Sequence, residues 1–150
     1  MPLVQTRRFG ALEYADSSVL RFAAGPPGFE DQTCFALVEQ PEMTPVVFLQ
    51  SLSRAELCFL AAPVGTLLKD YDLAMTREDI ERLGLNGSRQ PTPGEEVLCL
   101  ALLCAPENGP VTANLLAPVV VNLQTRTAVQ AVRADARYSH QHALRAEAAC

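Results

Sequence analysis

The chain has 150 residues, 49% of them hydrophobic, with a formal net charge of -5 and no tryptophan. A chain of this length buries roughly 68–70% of its unfolded surface, so one ordered domain needs no disulfide or metal to stay folded. The acidic balance argues against a phosphate backbone as the main ligand, and no window nears the ~18 apolar residues of a membrane span.

The first eighteen residues contain no apolar h-region. The Arg7-Arg8 pair is followed by polar and charged residues, so an export signal is not expected and the cytoplasm is the default location. Residues 3–9 and 11–14 flank Gly10 and predict a hairpin. Residues 19–23 form a short β-rich run that ends in the turn-rich "GPPGFED". Similar runs follow at 34–38, 46–52 and 57–61. Residues 63–71 have room for one helical turn. Thr76 is placed to cap "REDIERL", with Asp79 completing a capping-box-like pair, Met75 and Ile80 as a staple, and Gly84 as the stop. Residues 86–96 read as an exposed loop.

The run at 96–104 is apolar on both alternating faces, which marks a central strand covered on both sides. Strands are also expected near 117–123 and 127–132. In the first of these, Pro118 cannot donate to a ladder and marks the beginning or edge of the strand. Thr112 and Asn114 are placed to tie down the backbone entering it, and Asn122 to begin the return turn. The pattern predicts an all-β, mainly antiparallel fold, a sandwich or a small barrel, with one or two short helices. The domain is expected over residues 1–138. The alanine-rich stretch from Arg133 to Cys150 reads as partly helical or frayed, with residues 139–150 expected as the tail beyond the domain.

Chemistry is hard to find. Cys34, Cys58, Cys99 and Cys104 sit in apolar runs and read as small core hydrophobes, and Cys150 is terminal. Cys99 and Cys104 face opposite sides of one strand and cannot share a metal. His140 and His142 offer two weak ligands without a third. The carboxylate pairs Glu30/Asp31, Asp70/Asp72 and Glu95/Glu96 lie in or beside turns, where solvation or capping is the ordinary role. There is no phosphate-binding glycine motif, and Lys69 is the only lysine. No catalytic, cofactor or metal residue is assigned, and a binding module is favoured over an enzyme. A small β-barrel ligand-binding protein or enzyme is the alternative.

Several residues stand out as binding or shaping positions. Gly25, Pro27 and Gly28 predict a fixed turn, with Phe29 plugging the core. Gln50 shares a face with Phe48 and Leu52 and reads either as a buried amide or as an exposed contact. Tyr71 between Asp70 and Asp72 is the best exposed aromatic-plus-acid cluster, and tyrosine is enriched in binding hot spots. Phe59 and Asn114 complete the candidate partner contacts, although Asn114 reads first as a backbone organiser.

Four stretches, taken in order and spacing, resemble the flagellar assembly factor FliW family: "FAAGPPGFED" (22–31), "PVVFLQSL" (45–52), "KDYDL" (69–73) and "TANLLAPVVVNLQTRTAVQAV" (112–132). The resemblance runs from about Arg8 to Tyr138. It implies a compact, β-barrel-like cytoplasmic regulator of flagellar assembly, without catalysis, cofactor or small-molecule substrate. Its implied partners are flagellin and the RNA-binding translational repressor CsrA, exchanged in a partner switch with a chaperone-like effect on flagellin. No direct contact with nucleic acid or membrane is implied. Two departures stand out. Pro26 stiffens the turn, and the aromatic of the second stretch stands at Phe48, two positions beyond its usual place.

Overall fold

The computed structural model describes residues 1–144. A hairpin of β1 (Leu3–Thr6) and β2 (Gly10–Glu13) is followed by β3 (Val19–Phe22), β4 (Cys34–Glu39), β5 (Val47–Ser51) and β6 (Cys58–Pro63). Two short helices come next, α1 (Val64–Leu67) and α2 (Arg77–Arg82). The rest is β7 (Val97–Cys104), β8 (Thr112–Ala113), β9 (Val119–Asn122), β10 (Thr127–Gln130) and β11 (His142–Ala143).

Of the two architectures left open by the sequence, the chain adopts the barrel. Seven strands close in the order β3-β4-β5-β6-β7-β9-β10. The seam is completed by β7 antiparallel to β9, from Val97↔Asn122 to Leu100↔Val119, and by β10 parallel to β3 at Thr127↔Arg21 and Ala128↔Phe22. Strand β7 is long enough to serve two partners along one edge. Its first half pairs β9, and its end pairs β8 at Leu103↔Ala113 and Cys104↔Thr112.

Alternation along the strands then sorts side chains into two cores. Leu20, Phe22, Phe35, Leu49, Leu100, Val119 and Val121 belong to the first and fill the barrel. Val97, Cys99 and Ala101 point outward from the same β7, join Val120 and Val129, and need a second layer. Met75, Ile80, Leu83 and Leu115 supply it.

Helix α2 is held as the sequence predicts. Thr76 Oγ1 accepts the Asp79 N–H at 3.2 Å, and Met75 and Ile80 are both buried. Its C-terminus closes with the Leu85 N–H on the Ile80 carbonyl (3.2 Å) and the Gly84 N–H on that of Glu81 (2.9 Å). Gly84 takes the φ of 78° that this closure needs.

The cysteines differ from expectation. Among the described ones only Cys99 is buried; Cys34 and Cys58 are half-buried and Cys104 is exposed. An apolar run does not bury its ends, and Cys104 closes β7 where the ladder is shortest. The tail reading also changes. Residues 133–144 contain no helix, and β11 pairs with β8 through His142↔Ala113 and Ala143↔Thr112. Cys150 lies outside the described residues.

Two substitutions separate core from cap. Leu100→Ala should cost about 2–5 kcal/mol of unfolding free energy, and Thr76→Ala only about 1 kcal/mol, in urea titrations followed by circular dichroism.

Candidate protein-binding surface

The "GPPGF" turn is fixed by close backbone approach. A Cβ on Gly25 would lie 2.1 Å from the Phe29 carbonyl oxygen and 2.7 Å from that of Gln32. Inside the turn, the Phe29 N–H donates to the Pro26 carbonyl at 2.7 Å and the Gln32 N–H to that of Phe29 at 2.9 Å. Gly28 adopts φ 87°, and its N–H donates to the Glu30 carboxylate at 3.0 Å. That bond holds the Glu30 carboxyl below the usual carboxylate range. Pro27 is exposed. Phe29 is half-buried and meets Phe59 edge-on at 5.5 Å, and Phe59 in turn packs on Phe35 at 5.7 Å. The aromatic chain thus runs from the turn into the barrel core, with Phe59 as its middle member.

Gln50 has no exposed surface, so it offers a partner nothing directly. Its Nε2 donates to the carbonyls of Ser51 (3.0 Å), Arg54 (3.3 Å) and Ala55 (3.3 Å), bracing the turn between β5 and β6. Phe48 beside it is also buried, covered by Phe9 at 5.4 Å and by the Arg8 guanidinium at 5.2 Å.

Tyr71 is not the exposed aromatic that its acidic neighbours suggest. Its hydroxyl donates to the Leu115 carbonyl at 2.8 Å, and its ring stacks on Tyr138 at 4.5 Å. Burial pushes its hydroxyl pKa up. Asp70 and Asp72 are exposed, and Asp72 pairs with Arg137 at 2.9 Å. The organiser of this cluster is Arg133, whose side chain is 1% exposed. Its guanidinium reaches both oxygens of Asp135 (2.8 and 3.1 Å), the Tyr71 hydroxyl (3.4 Å) and the Asp72 carbonyl, with the Tyr138 ring 4.6 Å away. Sequence reading missed Arg133. Its local signals are an acid two residues on and a tyrosine five residues on, while the Asp72 carbonyl and the Tyr71 hydroxyl come from a distant segment.

Both asparagines of the 112–123 stretch bind backbone. Asn114 Oδ1 accepts the N–H groups of Leu116 (3.1 Å) and Ala117 (3.0 Å). Asn122 Oδ1 accepts that of Gln124 at 2.9 Å, while its Nδ2 donates to the Leu83 carbonyl at 2.8 Å, joining β9 to the end of α2. Thr112 lies in β8, and the buried Pro118 immediately precedes β9.

A concave feature lies on the outer wall. Ala62 and Leu103, with Val46, Leu67, Leu68 and Leu144, help to line an open, mostly apolar groove of about 950 Å³. Strand register explains its floor: Ala62 of β6 and Leu103 of β7 both face outward from adjacent, paired strands. The sequence carried a trace of this in the outward Leu103, but four separate segments build the groove.

A closed barrel filled by its own side chains, with an apolar groove outside, defines a small β-barrel protein. The chain belongs to the FliW family, whose model, described as "FliW protein", matches residues 3–144. The flagellar assembly factor FliW of Heliobacterium modesticaldum is 32% identical over 94% of this chain and 89% of its own. That of Bacillus pumilus is 28% identical over 99% of each chain. A crystal structure of the flagellar assembly factor FliW superposes with a TM-score of 0.81 at 27% identity, covering 97% of this chain and 99% of that one.

Two measurements check these local accounts. Gly25→Ala should cost at least about 3 kcal/mol, because its Cβ collides with backbone, whereas Gly28→Ala should cost only about 1–2 kcal/mol of left-handed strain. Burial pushes the Cys99 thiol pKa up to about 12, partly offset by Arg133. The reactive thiolate is therefore scarce at pH 8, and peptide mapping after iodoacetamide treatment should find Cys104 modified well before Cys99.

Proposed function

We propose that this protein is a non-catalytic, cytoplasmic regulator of flagellar assembly that binds flagellin and antagonises CsrA by partner switching. The observation that carries the reading is the outer groove, because it offers apolar contact area on a barrel whose interior is already full. Family membership supplies the context, since the relatives are named flagellar assembly factors. Flagellin takes the groove, and covering an assembly-prone segment of it delays premature polymerisation. CsrA meets the acidic surface, where exposed Asp70 and Asp72 are among the available carboxylates. A repressor that binds nucleic acid is rich in positive charge, so this encounter gains rate from electrostatic steering. A filled barrel counts against the alternative of a small-molecule carrier.

Tyr71, Gln50, Phe59 and Asn114 act here through support. They hold the loops and the barrel end that frame the surface, while Asp70 and Asp72 remain direct contacts. Calorimetry with the host's own flagellin and CsrA tests the proposal. Each should bind, and flagellin should displace CsrA. Leu103→Asp should weaken flagellin binding at least about 30-fold while circular dichroism shows the barrel intact. Failure of both partners to bind the wild-type protein would sink the reading.

A further inference from the structure

The turn after α2 carries a chemistry that the binding role leaves unused. Asn86 is exposed, and the next residue is Gly87, whose backbone nitrogen has no side chain beside it. Among the described residues, neither the Gly87 N–H nor the Asn86 Nδ2 has a hydrogen-bond partner. The Asn86 Oδ1, by contrast, accepts twice, from the Ser88 N–H at 3.0 Å and from the Ser88 hydroxyl at 2.7 Å. These donors sit on the oxygen that becomes negative when a nucleophile attacks the Asn86 side-chain carbonyl, as in an oxyanion hole. The turn itself is loosely closed, by the Arg89 N–H on the Asn86 carbonyl at 3.5 Å.

Packing keeps glycine in the second place of this pair. A Cβ on Gly87 would lie 2.8 Å from the Arg77 Cγ and 2.9 Å from that of Glu81, so its backbone rests directly on α2. The other three asparagines lack the combination. Asn114 and Asn122 precede leucines, and their side chains are engaged with backbone. Asn108 is exposed and precedes Gly109, but Pro110 has no N–H to offer its side-chain oxygen.

We propose that Asn86-Gly87 is a self-modification site at which the asparagine deamidates, and that the product loosens this turn from α2. The Gly87 N–H loses its proton to hydroxide, and the nitrogen attacks the Asn86 Cγ. The tetrahedral intermediate carries its charge on Oδ1 and collapses by breaking the Cγ–Nδ2 bond. The amine takes a proton from water and leaves as ammonia. Water then opens the cyclic imide on one side or the other, leaving an aspartate or an isoaspartate at position 86. Nothing is oxidised or reduced. Either product adds a negative charge beside the Arg77–Glu81 pair and near the C-terminal end of α2, where the helix dipole disfavours it. The isoaspartate also adds one main-chain atom next to the point where Gly87 is wedged against Arg77 and Glu81.

The test is incubation of the full chain at about 37 °C and pH values from about 6 to 8, followed by peptide mapping that separates aspartate from isoaspartate. Conversion at position 86 should rise with hydroxide concentration. It should run at least about threefold faster than at position 108, and Ser88→Ala should slow it about threefold, a modest factor because the turn lies in water. Circular dichroism should show Ser88→Ala folded like the wild type. Converted protein, separated by anion exchange, should show faster hydrogen exchange over residues 77–85 than unconverted protein. An asparagine that persists at position 86, that converts no faster than position 108, or that is not slowed by Ser88→Ala overturns the site. Unchanged or slower exchange over residues 77–85 overturns the loosening.

Discussion

Strand β7 carries apolar side chains on both faces, and a strand of that kind is stable only when both faces are covered. Leu98, Leu100 and Leu102 turn inward and help to fill the barrel, while Val97, Cys99 and Ala101 turn outward. The inward row calls for closure of the sheet, because an open sheet would leave that face wet. The outward row calls for a second layer, and a six-residue helix cannot supply one unaided. Helix α2 therefore depends on tertiary ties. Its N-terminus is capped by Thr76 and its last turn is joined to β9 through Asn122 and the Leu83 carbonyl. Asn122 is thus both a turn former and the link between the barrel seam and its outer cover.

The other half of that cover hangs on a buried charge. Burying a guanidinium is costly unless its donors are satisfied, and Arg133 is surrounded by acceptors and rings drawn from residues 71–72 and 135–138. Desolvation alone would work against its charge, but the bonds to Asp135 and Tyr71 outweigh it and hold the group protonated. The carboxylate of Asp135 is lowered in turn, first by Arg133 and then by the Arg137 N–H. This arrangement locks the loop after α1 to the segment after β10. Surface ion pairs such as Arg77–Glu81 and Arg54–Glu56 lie in water and contribute far less.

What the sequence made legible follows from the range of the interactions involved. The α2 helix could be read with its cap, staple and stop because all three lie within ten residues of one another. The strands could be read because period-two alternation is local, and β7 announced its central place by being apolar on both sides. Closure could not be read, since nothing in residues 97–100 says that their neighbour is 119–122. The burial of Tyr71 could not be read for the same reason. A tyrosine between two aspartates looks exposed until Leu115, Tyr138 and Arg133 are brought to it from forty-four or more residues away. Gln50 left two readings open because its partners lie in a turn whose path the sequence does not specify. The two-residue strands β8 and β11 are too short to leave any periodic signal.

The position of the groove follows from the same accounting. Leu103 continues the outward row of Val97, Cys99 and Ala101, but it lies beyond α2 and is only half-buried. Along that row, the residues nearest the helix are buried by it, and the last is left to the loop after α1 and to β11. The barrel thus has no open strand edge among its seven closed strands, yet its outer cover is unfinished at one end. An apolar patch on such a wall cannot be relieved by pairing another strand to the barrel. Side chains of the loop after α1 and of β11 cover part of it and leave the rest as the groove. The same strand that forces the barrel to close therefore also fixes where its outer cover ends, at Leu103.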